Sequence, residues 1–115
     1  MALFLLKDSP FAHDYRTTLR LAALMEGAEA VFLQDGVYAV AAETRQQVLP
    51  SEVPLLSSFR RLLSEAQARG VRFYALREDM EARGLGRAAA DGVASIPTVD
   101  YGGLLALILK HRKVL

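Results

Sequence analysis

"ALFLLKDSPFAHDYRTTLRLA", residues 2–22, decides how the rest of the chain is read. Ala2–Leu6 is an unbroken apolar run of strand length, as expected of a strand buried on both faces in a parallel sheet. Charge and a turn follow at once. Ser9-Pro10 has the form of a helix start, with serine as cap and proline at the first helical position, and Asp14 competes as the cap. Phe11, Tyr15, Thr18, Ala22 and Met25 recur at steps of four and three, which places them along one helical stripe. Gly27 predicts the end of that helix.

The same alternation continues outward. Residues 28–34, "AEAVFLQ", read as a second strand closed by an Asp35-Gly36 turn. Residues 37–47 read as a short helix or irregular crossing, and the proline-bearing "VLPSEVP", residues 48–54, as a loop. Ser51 or Ser57 would cap the next helix. Its face is Leu55, Leu56, Phe59, Leu62, Leu63 and Ala66, and Gly70 stops it. "VRFYAL", residues 71–76, is a third strand. "REDMEARGLG", residues 77–86, is a short polar helix ended by Gly84, and "RAAADGVASIP" is loop-like. "PTVD", residues 97–100, is a short fourth strand, and "YGGLLALILKHRK", residues 101–113, is the last helix. Its basic end suits the negative end of the helix dipole. Strands alternating with helices imply a parallel sheet with helices on both faces. Ligands in such sheets bind beyond the carboxyl ends of the strands. Polar residues gather there: Lys7, Asp8 and Ser9; Asp35; Arg77, Glu78 and Asp79; Asp100 and Tyr101.

The bulk numbers narrow the classes. A chain of 115 residues, 52% apolar and 23% charged, suits one packed domain, residues 1–115. A net charge of +1 gives no broad drive toward nucleic acid or membrane. "LLALIL" is too short to span a bilayer, and "MALFLLKDSPF" lacks the basic start of a signal peptide, so a cytoplasmic location is expected. There is no cysteine, which removes disulfides, thiolate zinc sites and a thiol nucleophile from this chain. With two histidines, His13 and His111, no metal site is expected, and no cofactor.

Each remaining chemistry has a plainer competitor. His13 is placed for general-base or phosphohistidine work, or is a solvated loop histidine with no partner fixed by spacing. Asp8 and Asp35 could pair as in a receiver domain, yet Arg77 follows the third strand and no fifth strand is visible in the residue pattern. Ser9 lacks a GxSxG elbow and reads better as a cap. "GLGRAAADG" does not have phosphate-loop spacing, and "KHRK" is a helix-end basic cluster that could touch RNA phosphates. The residues alone define a small α/β domain without a catalytic constellation.

"SPF" (residues 9–11), "TTLRLA" (17–22), "LQDGVYA" (33–39), "ARGL" (82–85) and "VDYGGLLALILKHRKV" (99–114) occur in that order. Together they resemble the DsrH/TusB family of the DsrE-like sulfur-relay proteins, over nearly the whole chain. The resemblance implies a DsrE-like three-layer α/β/α fold with a central, mainly parallel, four- to five-stranded sheet. It implies assembly with homologous DsrE/TusD-type and DsrF/TusC-type subunits, or self-association. It implies persulfide relay toward 2-thiolation of tRNA wobble uridine, or sulfur trafficking in sulfur oxidisers. The resemblance implies a cysteine carrier, principally on the DsrE/TusD-type subunit; some members of the DsrH side also carry a cysteine in the first helix, and the matching position here is Thr18. A threonine hydroxyl forms no persulfide, so no catalytic residue is expected in this chain. The expectation is a cysteine-free subunit of a sulfurtransferase complex, not an enzyme on its own. The alternative is a stand-alone ligand-binding or regulatory domain that uses the strand-end rim. Candidate binding residues for ligand or partner are Ser9, Phe11, His13, Thr18, Asp35, Gly36, Tyr38, Asp100 and Tyr101.

Overall fold

The computed structural model describes residues 2–8, 15–38, 53–85 and 96–115, with the side chains of residues 53–58 excepted. In chain order the elements are β1 (Ala2–Leu6), α1 (Arg16–Leu24), β2 (Glu29–Phe32), a 3₁₀ turn (Gln34–Val37), α2 (Val53–Ala68), β3 (Arg72–Leu76), α3 (Arg77–Ala82), β4 (Thr98–Val99), α4 (Tyr101–Lys110) and β5 (Lys113–Val114). The five strands form one sheet in the order β4-β3-β2-β1-β5. Every pair is parallel, with Leu3 opposite Glu29, Ala30 opposite Phe73 and Ala2 opposite Lys113.

The period of two along the strands divides the core. Ala2, Phe4 and Leu6 of β1, Ala30 and Phe32 of β2, and Phe73 and Ala75 of β3 pack with Tyr15, Leu19 and Ala22 of α1 and Phe59, Leu62, Leu63 and Ala66 of α2. Phe32 stands at the centre, stacked on Phe73 with centroids 5.8 Å apart and edge-on to Phe59 at 6.2 Å. The opposite face presents Leu3, Val31 and Leu76, covered by Leu107 of α4, with Leu104 and Ile108 beside it. The path explains the layering. Three crossovers move the chain one way across the sheet, and the last returns past β1 to β5. Right-handed connections then put α4 on the face opposite α1 and α2.

The α/β class and the parallel sheet are as expected, and four details correct the sequence reading. The fifth strand, within the four- to five-stranded sheet that the resemblance implies, is built from residues read as the end of the last helix. His111 and Arg112 leave the helix after Lys110, and Lys113–Val114 pair with β1 instead of extending α4. Leu5 N donates to Leu115 O at 3.0 Å and Leu115 N to Leu3 O at 2.8 Å, which ties the C-terminus into the sheet. Ser57 lies inside α2 and is not its cap, and α2 already includes Val53 and Pro54 from the segment read as a loop. Leu19, absent from the expected stripe of α1, is among its most buried residues. The described part of α1 begins at Arg16, and the proposed caps Ser9 and Asp14 lie outside the described residues.

Candidate functional site

The carboxyl end of the sheet is where the sequence places the site. After β1, the turn at Lys7–Asp8 is held by Tyr15 at the head of α1. Asp8 N donates to the Tyr15 hydroxyl at 2.9 Å, and that hydroxyl donates back to Asp8 O. Burial is the main reason the Tyr15 phenol is pushed up to about 12, with the Asp8 carboxylate adding to it against the backbone bond. The phenol stays neutral at physiological pH and serves as a clamp.

After β2 the chain turns tightly back over β1. Gly36 N donates to Lys7 O at 3.0 Å and to Leu33 O at 2.9 Å. A Cβ at Gly36 would lie 1.8 Å from Leu6 O, so no other residue fits without moving the backbone. Asp35-Gly36 is therefore a packing device as well as a turn. Gln34 has a positive φ of 52°, unusual for a residue with a side chain, and its N–H is held by the Asp79 carboxylate.

After β3, α3 braces the rim in both directions. On the β2 side, Arg83 reaches Asp35 Oδ1 with Nη2 at 3.1 Å and Nε at 3.2 Å, and Asp79 Oδ1 at 3.8 Å. On the β4 side, Arg77 lies 3.6 Å from Asp100, and Glu78 Oε2 accepts from Tyr101 N at 3.2 Å. Asp100 caps α4, its Oδ1 accepting from Gly103 N at 2.8 Å. These carboxylates are engaged in holding turns and a helix start.

Of the candidate residues, Asp35, Gly36, Asp100 and Tyr101 stand on this rim. Among the described residues, Asp35 and Asp100 are connected through Arg83 and Arg77 at the two ends of α3. Thr18 lies in the first turn of α1, half-buried, and Tyr38 follows the 3₁₀ turn, also half-buried. Ser9, Phe11 and His13 lie outside the described residues. Among the described residues no group of three or more His, Asp or Glu side chains could hold a metal ion. Arg83 is the rim residue that sequence reasoning missed. Its spacing of four from Asp79 was the available signal.

A second polar cluster lies at the opposite end of the sheet, where sequence reading saw none. Glu29, first residue of β2, is buried and points to the α4 face. Its Oε1 accepts from Lys110 Nζ at 2.6 Å and faces His111 Nε2 at 2.9 Å, and its Oε2 accepts from the Tyr74 hydroxyl at 2.8 Å. His111 Nε2 lies against the carboxylate, while Nδ1 is buried without a hydrogen-bond partner. Burial by itself would raise the Glu29 pKa. The hydrogen bonds from Lys110, Tyr74 and His111, with the Lys110 charge, outweigh it and hold the carboxyl at about 2. Burial and the same carboxylate raise the Tyr74 phenol. So "KHRK" is no uniform helix-dipole cluster: Lys110 and His111 anchor β2 to the start of β5.

A five-stranded parallel sheet in this order, with a tight glycine turn over β1, defines a small α/β protein whose described rim residues brace one another. Solved structures agree on that fold. The ychN protein of Escherichia coli superposes with a TM-score of 0.73 over 99% of this chain and 96% of its own, at 16% identity. MTH1491 of Methanobacterium thermoautotrophicum does so with a TM-score of 0.66 over 99% and 96%, at 18% identity. Residues 8–114 match the family described as DsrH like protein. Protein TusB of Escherichia coli O81 is 34% identical over 110 residues, 95% of this chain and 93% of the relative. Protein TusB of Escherichia fergusonii is 33% identical over 113 residues, 98% and 97% of the two chains. The chain belongs to the DsrH/TusB family of DsrE-like proteins.

Proposed function

We propose that this chain is a non-catalytic subunit of a cytoplasmic sulfur-relay complex, of the kind that serves tRNA wobble-uridine 2-thiolation or sulfur oxidation. Its partners are cysteine-bearing DsrE/TusD-type and DsrF/TusC-type chains. The observation that carries this reading is the pairing of family membership with the absence of any cysteine. Persulfide relay needs a thiolate that attacks a sulfane sulfur and then releases it. Thr18, which the resemblance matches to a cysteine carried by some members of the DsrH side, supplies a hydroxyl that neither ionises near neutral pH nor forms a persulfide.

The rim supports the same reading. Asp35, Asp79 and Asp100 are committed to Arg83, Gln34, Arg77 and the start of α4, an arrangement that keeps a surface in shape for something else to use. Among the described residues no helix is long and apolar enough to cross a membrane. The test is sulfur loading with a radiolabelled persulfide donor. The isolated chain should take up no label. In a complex purified from the native host, label should appear on partner chains alone. Label on this chain would contradict the proposal.

A further inference from the structure

The net charge of +1 averages two unlike ends. At the carboxyl end of the sheet, Asp35, Asp79, Asp100 and the glutamates of α3 outnumber Lys7, Arg77 and Arg83. At the amino end the balance reverses. Arg72 opens β3, Lys113 opens β5, and Arg112 stands just before it; all three are exposed. None of them takes part in an ion pair among the described residues. Lys110 does not belong to this set, because Glu29 holds it. Nor does Arg69, which follows α2 and has exposed Glu65 one turn away on the same helix.

Two ordinary uses of surface cations do not account for all three. A helix dipole favours cations in the last turn, which suits Lys110 and Arg69, but Arg72 and Lys113 are strand residues. A lysine on an edge strand wards off a further strand, which suits Lys113, but Arg72 lies on β3, between β2 and β4 in the sheet order. Register sets them in one row. Leu3 is opposite Glu29, Glu29 is opposite Arg72, and Ala2 is opposite Lys113. Lys113 and Arg72 therefore stand at nearly one level, three strand spacings or about 14 Å apart. Arg72 leans to the α4 face. It shares that face with Tyr74, and its charge works against the burial that raises the Tyr74 phenol. Lys113, opposite Ala2 of the α1–α2 core, leans to the other face.

We infer that the amino-terminal edge of the sheet binds the backbone of a single-stranded nucleic acid, with Arg72, Arg112 and Lys113 each set against a phosphate. A row of cations calls for a repeating anion. At a rise of about 3.4 Å per nucleotide, 14 Å spans about four phosphates. The planar forks of the two arginines suit phosphate oxygens. Half-buried Tyr74, beside Arg72, is an aromatic side chain of the kind on which bases stack. A row that passes from one face of the sheet to the other suits a flexible strand, whereas a stiff duplex cannot follow it. Three phosphates make a weak contact, with a dissociation constant on the order of 0.1 mM at low salt. The inference does not rest on sulfur relay: sulfur loading and nucleic-acid binding are read in separate assays, and either can fail alone.

The experiment is fluorescence anisotropy of fluorescein-labelled dodecauridine and dodecathymidine, titrated with the purified full chain between about 20 and 200 mM salt. Binding of either probe is expected to weaken with salt with a log–log slope of about 2, at about 0.7 for each phosphate. Arg72→Gln, Arg112→Gln and Lys113→Gln should each weaken binding about threefold at the lowest salt and take about 0.7 off the slope. Each alters an exposed side chain, so circular dichroism should show an intact fold. Arg61→Gln, at an exposed position of α2 that also makes no ion pair among the described residues, should change nothing. An oligoglutamate of the same length should not compete. Absence of binding at about 1 mM chain would overturn the inference. So would a salt slope untouched by the three substitutions together, an equal effect of Arg61→Gln, or equal competition by oligoglutamate.

Discussion

Gly36 shows how a single position controls the rim. Its missing side chain lets the turn after β2 lie directly on the end of β1, with Leu6 O where a Cβ would be. Gly36→Ala must push backbone against backbone, and should cost about 3 kcal/mol in denaturant unfolding. Arg83 is the contrasting case. Its partner Asp35 is 64% exposed, so Arg83→Ala should change stability by less than about 1 kcal/mol. Glu29 carries a clear pH signature. Its folded-state pKa lies below its ordinary value of 4.5, at about 2. The ionised form is thus favoured by folding. The stability it gives is fully present above about pH 4.5 and is lost as pH falls toward 2, a total on the order of 3 kcal/mol. Glu29→Gln should flatten the acid limb of the unfolding free energy between those pH values. An unchanged acid limb would show that Glu29 does not carry the effect.

At the scale of elements, the sequence was most legible where period and length agree. β1, β3 and α2 are long enough for their apolar pattern to identify them, and the Asp-Gly turn was visible from its residues. β5 was not legible. It has two residues, follows a basic run that also suits a helix end, and gains its place only by pairing with β1. Nor was the Glu29 cluster. Glu29 lies 81 residues from Lys110 and 82 from His111, and only the return of the chain past β1 brings them together. The candidate site was legible as a rim and not as a set of contacts, since the spacing of Asp35 and Arg83 carries no local period. β5 makes its own prediction. Removing Lys113–Leu115 takes away the hydrogen bonds between Leu115 and β1 and should cost about 1–3 kcal/mol in thermal or denaturant unfolding. An unchanged midpoint would mean that β5 merely decorates the sheet edge.

At the scale of the molecule, the parts have separate tasks. The sheet and the α1–α2 layer make the core. α3 locks the carboxyl rim, and the Glu29 cluster locks the opposite end. Among the described residues, the rim carboxylates and the Glu29 cluster hold this shape, while α4 turns Leu105 and Leu109, and α1 turns Leu24, outward. This distribution, in a chain of the DsrH/TusB family without a thiol, fits the proposed role of a subunit that organises chemistry carried by other chains. The measurement that tests this most directly is native mass spectrometry of the tagged chain purified from its own host. The account predicts an assembly with two homologous, cysteine-containing chains in equal stoichiometry, persulfide mass being found on those chains alone. A protein that emerges from the host free of such partners would contradict it.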